Sequence, residues 1–164
     1  MLITTSRRPS PRTRSFARAL ERVLPSKYLN RGKMSLREVF LKGKELGFSP
    51  LMVISERDGN PSRLEFFTSN EKPEAYILIN VDLSKPRGKI DTKNLTFYCE
   101  EPELSHLLSK YLKIKLVNEN YSDKYNRIWI KTGPAQRTIM EFYDNKGNLI
   151  QPRIYLREWK EVVW

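Results

Sequence analysis

The chain has 164 residues, 39% of them hydrophobic and 30% charged, which suits one domain or two small fused halves around a packed core. No run approaches the roughly 20 apolar residues of a membrane span, and Arg7 and Arg8 interrupt the N-terminus before a signal-peptide core could form. The expectation is a soluble, cytoplasmic protein. A single cysteine, Cys99, excludes an internal disulfide and a Cys-x-x-Cys zinc site, and a single histidine, His106, excludes His-rich metal sites, so no metal and no cofactor is expected.

The net charge is +11 and it is unevenly placed. Residues 1–44 hold twelve Lys and Arg against Glu21 and Glu38, whereas the remaining 120 residues carry 18 basic and 17 acidic side chains. Such a local positive potential predicts a polyanionic partner more firmly than a uniformly high pI does.

Residues 2–5 read as a strand. Ser10 and Pro11 supply an N-cap and a first-turn proline for a helix over 11–24, which Pro25 stops. Phe16, Leu20, Val23 and Leu24 share one face of it, and Arg14, Arg18 and Arg22 recur every fourth residue on the opposite face. A short strand at 27–29 follows. Ser35-Leu36-Arg37-Glu38 has capping-box spacing and opens a helix ending at Gly47, with Leu36, Val39, Phe40 and Leu46 inward. Strands at 51–55 and 64–68 flank the turn signal Asp58-Gly59-Asn60-Pro61, and 75–81 is a further buried strand. Residues 82–94, with Pro86 and Gly88, read as a linker. Beyond it lie a strand at 95–99, a helix opened by Pro102 with Leu104, Leu107, Leu108, Tyr111 and Leu112 on one stripe, and a strand at 114–117. Strands at 127–131, 138–143 and 153–156 close the chain, with 144–147 turning between two of them. Because the order of the first half recurs, the expected fold is α/β with two similar halves, about 1–90 and 91–164, each a mixed sheet with packed helices.

The first strand-to-helix loop carries Arg7, Arg8 and Arg12, whereas its counterpart carries Glu100, Glu101 and Glu103, so only the first suits phosphate. The run Ser6-Arg7-Arg8-Pro9-Ser10-Pro11-Arg12-Thr13-Arg14 gathers guanidiniums, hydroxyls and a helix N-terminus, each a phosphate-binding device. Arg18 and Arg22 continue the surface along the helix. Apolar Leu2-Ile3 and Phe16-Ala17 anchor both ends of the run, which favours contact with RNA or DNA over a disordered basic tail. Lys27, Arg31 and Lys33 around Gly32 either extend that surface or are the exposed cations of a turn, and Tyr28 among them is nominated to stack on an unpaired base. Phe66, Phe67, Tyr76, Phe97, Phe142 and Tyr155 fall in strand patterns and are assigned to the core. No P-loop, Gly-x-Gly-x-x-Gly or Gly-x-Ser-x-Gly motif accompanies His106, Cys99 reads as a core residue, and the three glutamates read as dipole-stabilising, so no catalytic residue is nominated.

The opening Leu2-Ile3-Thr4-Thr5-Ser6-Arg7-Arg8-Pro9-Ser10-Pro11-Arg12-Thr13 resembles the start of the Brix domain, the module of eukaryotic and archaeal ribosome-biogenesis proteins. Asn30-Arg31-Gly32 before a helix, Pro73-Glu74-Ala75-Tyr76-Ile77-Leu78-Ile79-Asn80-Val81, Arg127-Ile128-Trp129-Ile130-Lys131-Thr132-Gly133 and Pro152-Arg153-Ile154-Tyr155-Leu156 resemble its later motifs, with Gln151 where glycine is expected. The resemblance covers nearly the whole chain, as a single Brix domain over 1–164 of compact archaeal type. The Thr4-Thr5-Ser6-Arg7 opening is most similar to the branch serving small-subunit rRNA processing. It implies two halves each like the anticodon-binding domain of class II aminoacyl-tRNA synthetases. It also implies a factor that binds precursor rRNA and assists its folding and processing without covalent catalysis, alongside other assembly proteins. The residues alone leave two further readings open: a nuclease using Glu100 or Glu101, and a scaffold that binds proteins through an exposed sheet edge.

Overall fold

The computed structural model describes residues 1–117 and 125–162. Strand β1 (Leu2–Thr5) leads into helix α1 (Pro11–Val23), whose first turn is set by the Ser10 hydroxyl accepting the Thr13 amide and by Pro11 at the first helical position. Strand β2 (Lys27–Tyr28), helix α2 (Leu36–Leu46) and strands β3 (Leu51–Arg57), β4 (Asn60–Phe67) and β5 (Ala75–Asp82) complete the first half. The second runs β6 (Thr96–Cys99), α3 (Pro102–Leu112), β7 (Lys115–Leu116), β8 (Arg127–Thr132), β9 (Thr138–Tyr143) and β10 (Leu149–Glu161).

The described strands form one sheet in the order β2-β1-β3-β4-β5-β10-β9-β8-β6-β7. In each half the opening strand lies between two parallel neighbours, and the outer strands are followed inward by antiparallel ones. The halves meet where β5 runs antiparallel to β10. The two mixed sheets expected from the sequence are therefore joined into one, whose pairing order reads the same from either edge.

Alternation along the strands sorts side chains between two faces. Ile3, Met52, Ile54, Phe66, Ile77 and Ile79 turn toward α1 and α3, and together with Phe16, Leu20, Leu104 and Leu108 they form a core common to both halves. Leu2, Leu51, Val53 and Phe67 turn the other way, onto α2. Among the described residues no helix is long and apolar enough to cross a membrane.

Several elements differ from expectation for physical reasons. Asp58 and Gly59, at φ 52° and 78°, close a two-residue loop, so β3 and β4 pair up to Arg57 and Asn60, and Asn60-Pro61 belongs to the strand. β10 has thirteen residues where four were expected, because its N-terminal part pairs with β9 and its C-terminal part with β5. Leu46 is 41% exposed rather than inward: Phe48, folded back beyond the Gly47 cap by an amide bond to the Gly43 carbonyl, packs against the α2 cluster in its place. The linker is docked. The Gln151 amide donates to the Pro86 carbonyl, its side chain donates to the Leu83 and Lys85 carbonyls at 3.0 Å each, and the Ile90 amide donates to the Arg22 carbonyl. A Cβ on Gly88 would come within 2.6 Å of Ile150 Cγ2, so only glycine fits beneath the strand. Gln151, which stands where the resemblance led to an expectation of glycine, is thus the clamp that holds this segment.

Candidate nucleic-acid interface

The loop between β1 and α1 is held from below by the β3–β4 hairpin. The Ser6 amide donates to the Ile54 carbonyl (2.9 Å), the Ser10 amide to Glu56 Oε2 (3.0 Å), and the Ser10 hydroxyl to the Gly59 carbonyl (2.7 Å). Thr13 Oγ1 donates to the same Glu56 oxygen at 2.5 Å. That hydrogen bond and the Ser10 amide keep the Glu56 carboxyl below its ordinary pKa. A carboxylate of the protein itself therefore lies at the start of α1, where an incoming phosphate was expected. Ser10 and the Thr13 amide thus serve the fold.

Those cations divide by burial. Arg7, Arg8, Arg12, Arg14 and Arg18 are exposed, as are Lys27 and Lys33, while Ser6 is half-buried. Arg8 sits at φ 55°, a left-handed conformation uncommon for a residue with a Cβ. Arg12 Nη2 reaches the Val81 carbonyl at 2.6 Å. Arg31 departs from its reading as a turn cation: it is 8% exposed and donates to the Met34 carbonyl (2.8 Å) and the Thr5 carbonyl (2.9 Å). Arg7 Nε converges on the same Met34 carbonyl at 3.4 Å. Burial foremost, and then the Arg7 charge, lower the pKa of Arg31. Arg31 is thus a buttress behind the loop. Tyr28 packs against the core with its hydroxyl buried and burial raises that hydroxyl's pKa, which makes it a poor platform for a base.

At the far end of α1, half-buried Arg22 donates to Gln151 Oε1 at 3.2 Å. Its pKa is lowered by burial and then by the Arg87 charge, against the opposing effect of Glu21. Lys85, Arg87 and Lys89 were not nominated from the sequence, because cations in a presumed linker carry no sign of where it docks.

The second half differs. Glu101 stands at the N-cap of α3 without a side-chain cap bond, Glu103 is in the first turn, and Glu100 accepts the Thr132 amide at 2.9 Å. The half-buried Cys99 thiol is pushed up to about 11, chiefly by burial, which is the reverse of nucleophile activation. His106 is exposed on α3. On the opposite sheet face, buried Glu141 accepts Arg153 Nε (2.9 Å) and Nη2 (2.5 Å), Lys131 Nζ (2.6 Å) and the Tyr143 hydroxyl (3.2 Å). Burial pushes its carboxyl upward, but the hydrogen bonds and charges of Lys131 and Arg153 outweigh that and hold it low. Tyr76 and Tyr155, assigned to the core, instead lie half-buried on this face beneath Arg63 and Arg137, 4.2 and 5.1 Å from the ring centres.

No protein-family model matches the chain. Over 160 residues it is 32% identical to a Brix domain-containing ribosomal biogenesis protein of Methanothermobacter thermautotrophicus, covering 98% of each. The chain belongs to the Brix family of ribosomal biogenesis proteins. A second such relative, from Methanococcus maripaludis, is 31% identical over 91% of each chain. The crystal structure of Mil, an archaeal Imp4-like protein, matches this Brix protein with a TM-score of 0.80 and 31% identity, over 99% of this chain and 100% of that one. A ribosomal biogenesis protein of Aeropyrum pernix K1 shares the Brix fold with a TM-score of 0.76 at 22% identity, over 96% and 94%.

Proposed function

We propose that this Brix protein is an assembly factor that binds precursor small-subunit rRNA through the surface from Arg7 to Arg22, guiding RNA folding and processing without covalent chemistry. The observation that carries this reading is the clamped basic loop. Glu56, Ser10 and Arg31 fix the backbone from which Arg7, Arg8, Arg12, Arg14 and Arg18 project, so little chain order is lost when phosphates arrive. Guanidiniums at fixed positions favour phosphate contact, which positions an RNA without reading its sequence. Lys27 and Lys33 flank the patch. The small-subunit assignment rests on the Thr4-Thr5-Ser6-Arg7 opening. The chain works as one domain over 1–164, its halves of about 1–90 and 91–164 each similar to a synthetase anticodon-binding domain, in the cytoplasm beside other assembly proteins.

Fluorescence anisotropy with a labelled rRNA fragment tests the reading. The log of affinity falls steeply with the log of salt, and replacing Arg7, Arg8, Arg12 and Arg14 by Ala flattens that slope by about 3. A salt-independent affinity contradicts it. A second reading, a protein-binding scaffold, is favoured by a groove of about 1070 Å³ between α2 and residues 68–72, lined by Phe40, Phe48 and Leu51, with Leu41 61% exposed on its wall. Capture of a protein that survives charge reversal at Arg8 and Arg12 but is lost with Leu41→Lys would support that one.

A further inference from the structure

We propose that the segment joining the two halves is a second wall of the RNA-binding surface, in which Lys85, Arg87 and Lys89 contact phosphates beside α1. This rests on the reading of the α1 surface as an RNA site. The segment follows β5, whose Val81 carbonyl holds the Arg12 guanidinium, and reaches Ile90, whose amide donates to the Arg22 carbonyl. It therefore accompanies α1 from Arg12 to Arg22, about 15 Å of helix. Four hydrogen bonds fasten it on the way, three of them from Gln151 to the Leu83, Lys85 and Pro86 carbonyls and one from Ile90. Arg87 and Lys89 are exposed and Lys85 is half-buried. Of the neighbouring carboxylates, Asp82 accepts the Ser84 amide at 2.7 Å and lies near enough to Lys85 for the Ser84 hydrogen bonds, and then the Lys85 charge, to lower its pKa, so Arg87 and Lys89 are the less compensated of the three cations.

A loose charged linker would be solvated and would offer its cations at no fixed place. This segment is backbone-anchored, so its cations stand at set positions next to the α1 arginines. Arg87 lies near enough to Arg22 for its charge, after burial, to lower the Arg22 pKa. Gln151 orients Arg22 and the segment together, which gives that residue a positioning role at the site. Fifteen ångströms span roughly four phosphates even at the ~3.4 Å axial spacing of a B-DNA strand, and at least as many along the more compact A-form of RNA. The expected ligand is thus an RNA backbone several nucleotides long, and free phosphate or a dinucleotide is too short to engage both rows.

The test compares four proteins by anisotropy: the native chain, R87A/K89A, R7A/R8A/R12A/R14A, and K146A/K160A, which removes the same charge from exposed sites elsewhere. The probe is a labelled 24-nucleotide RNA hairpin. The linker variant is expected to bind about tenfold more weakly, with a salt slope lower by roughly 1.5, while circular dichroism and Tm stay unchanged and K146A/K160A binds as the native chain does. R87K/K89R restores binding. Native affinity in R87A/K89A, with loss in the α1 variant, overturns this inference and leaves the RNA reading standing. An equal loss in K146A/K160A overturns it too, reducing the effect to net charge. Native binding in all variants overturns the RNA reading and this inference together.

Discussion

The β1–α1 and β6–α3 loops hold equivalent places in the pairing order yet are built in opposite senses. The first spans residues 6–10 and the second only 100–101, and the difference in length brings in Arg7 and Arg8. α3 follows the ordinary electrostatic rule, with Glu103 in its first turn. α1 breaks it: its first turn has no acidic residue and carries Arg12 and Arg14, which the helix dipole disfavours. Glu56 supplies the missing negative charge from the neighbouring hairpin. A local rule broken at one of two equivalent loops, and offset by a residue of another element, is the pattern expected of a functional surface, which agrees with the proposed RNA site.

The largest expected effect comes from erasing the difference. R7A/R8A/R12A/R14A should weaken binding of an rRNA fragment by about a hundredfold at moderate salt, with the fold retained, since those side chains are exposed. The converse graft, E100R/E101R/E103R, should improve binding less than about threefold, because the short second loop lacks the Glu56 and Arg31 supports. A gain comparable to the loss would show that charge alone suffices.

The next effects concern what supports each half. Glu141→Gln leaves Arg153 and Lys131 without their buried anion and should cost about 3 kcal/mol at neutral pH, measured by denaturant unfolding. Glu141 and Glu56 both have lowered carboxyl pKa values. The stability they give is full above the ordinary carboxylate range and is lost as pH falls through their lowered folded values. E141Q should accordingly show a shallower acid limb than the native protein. Arg31→Ala leaves the Thr5 and Met34 carbonyls without that donor and should cost about 2 kcal/mol, with RNA binding weakened less than tenfold. The smallest effect is Ser10→Ala, about 1 kcal/mol from the lost cap.

Much of the first half was legible in the sequence because its signals are local. Ser10-Pro11, the Ser35–Glu38 capping box and the Asp58-Gly59 turn lie within a few residues of the structure they specify. What escaped depends on distant partners. Glu56 meets the Ser10 amide across 46 positions, and nothing adjacent in sequence announces it. Arg31 and Lys33 look alike in a glycine turn, and only the Thr5 carbonyl, 26 positions away, separates a buried buttress from an exposed cation. The full length of β10 was hidden because Gln151, Pro152 and Arg157 interrupt its alternation, and two neighbouring strands rather than its own pattern hold it extended. Lys85, Arg87 and Lys89 carry no local signal either, because their place along α1 depends on Gln151, 66 positions from Lys85.

The proposed grip of this Brix protein on precursor rRNA runs through the clamped basic loop. Crosslinking with sequencing of bound RNA from cells, comparing the native chain with R7A/R8A/R12A/R14A, tests it most directly. Reads should concentrate in precursor small-subunit rRNA and be lost in the variant; reads spread over all abundant RNAs and unchanged by the variant would overturn the proposed grip.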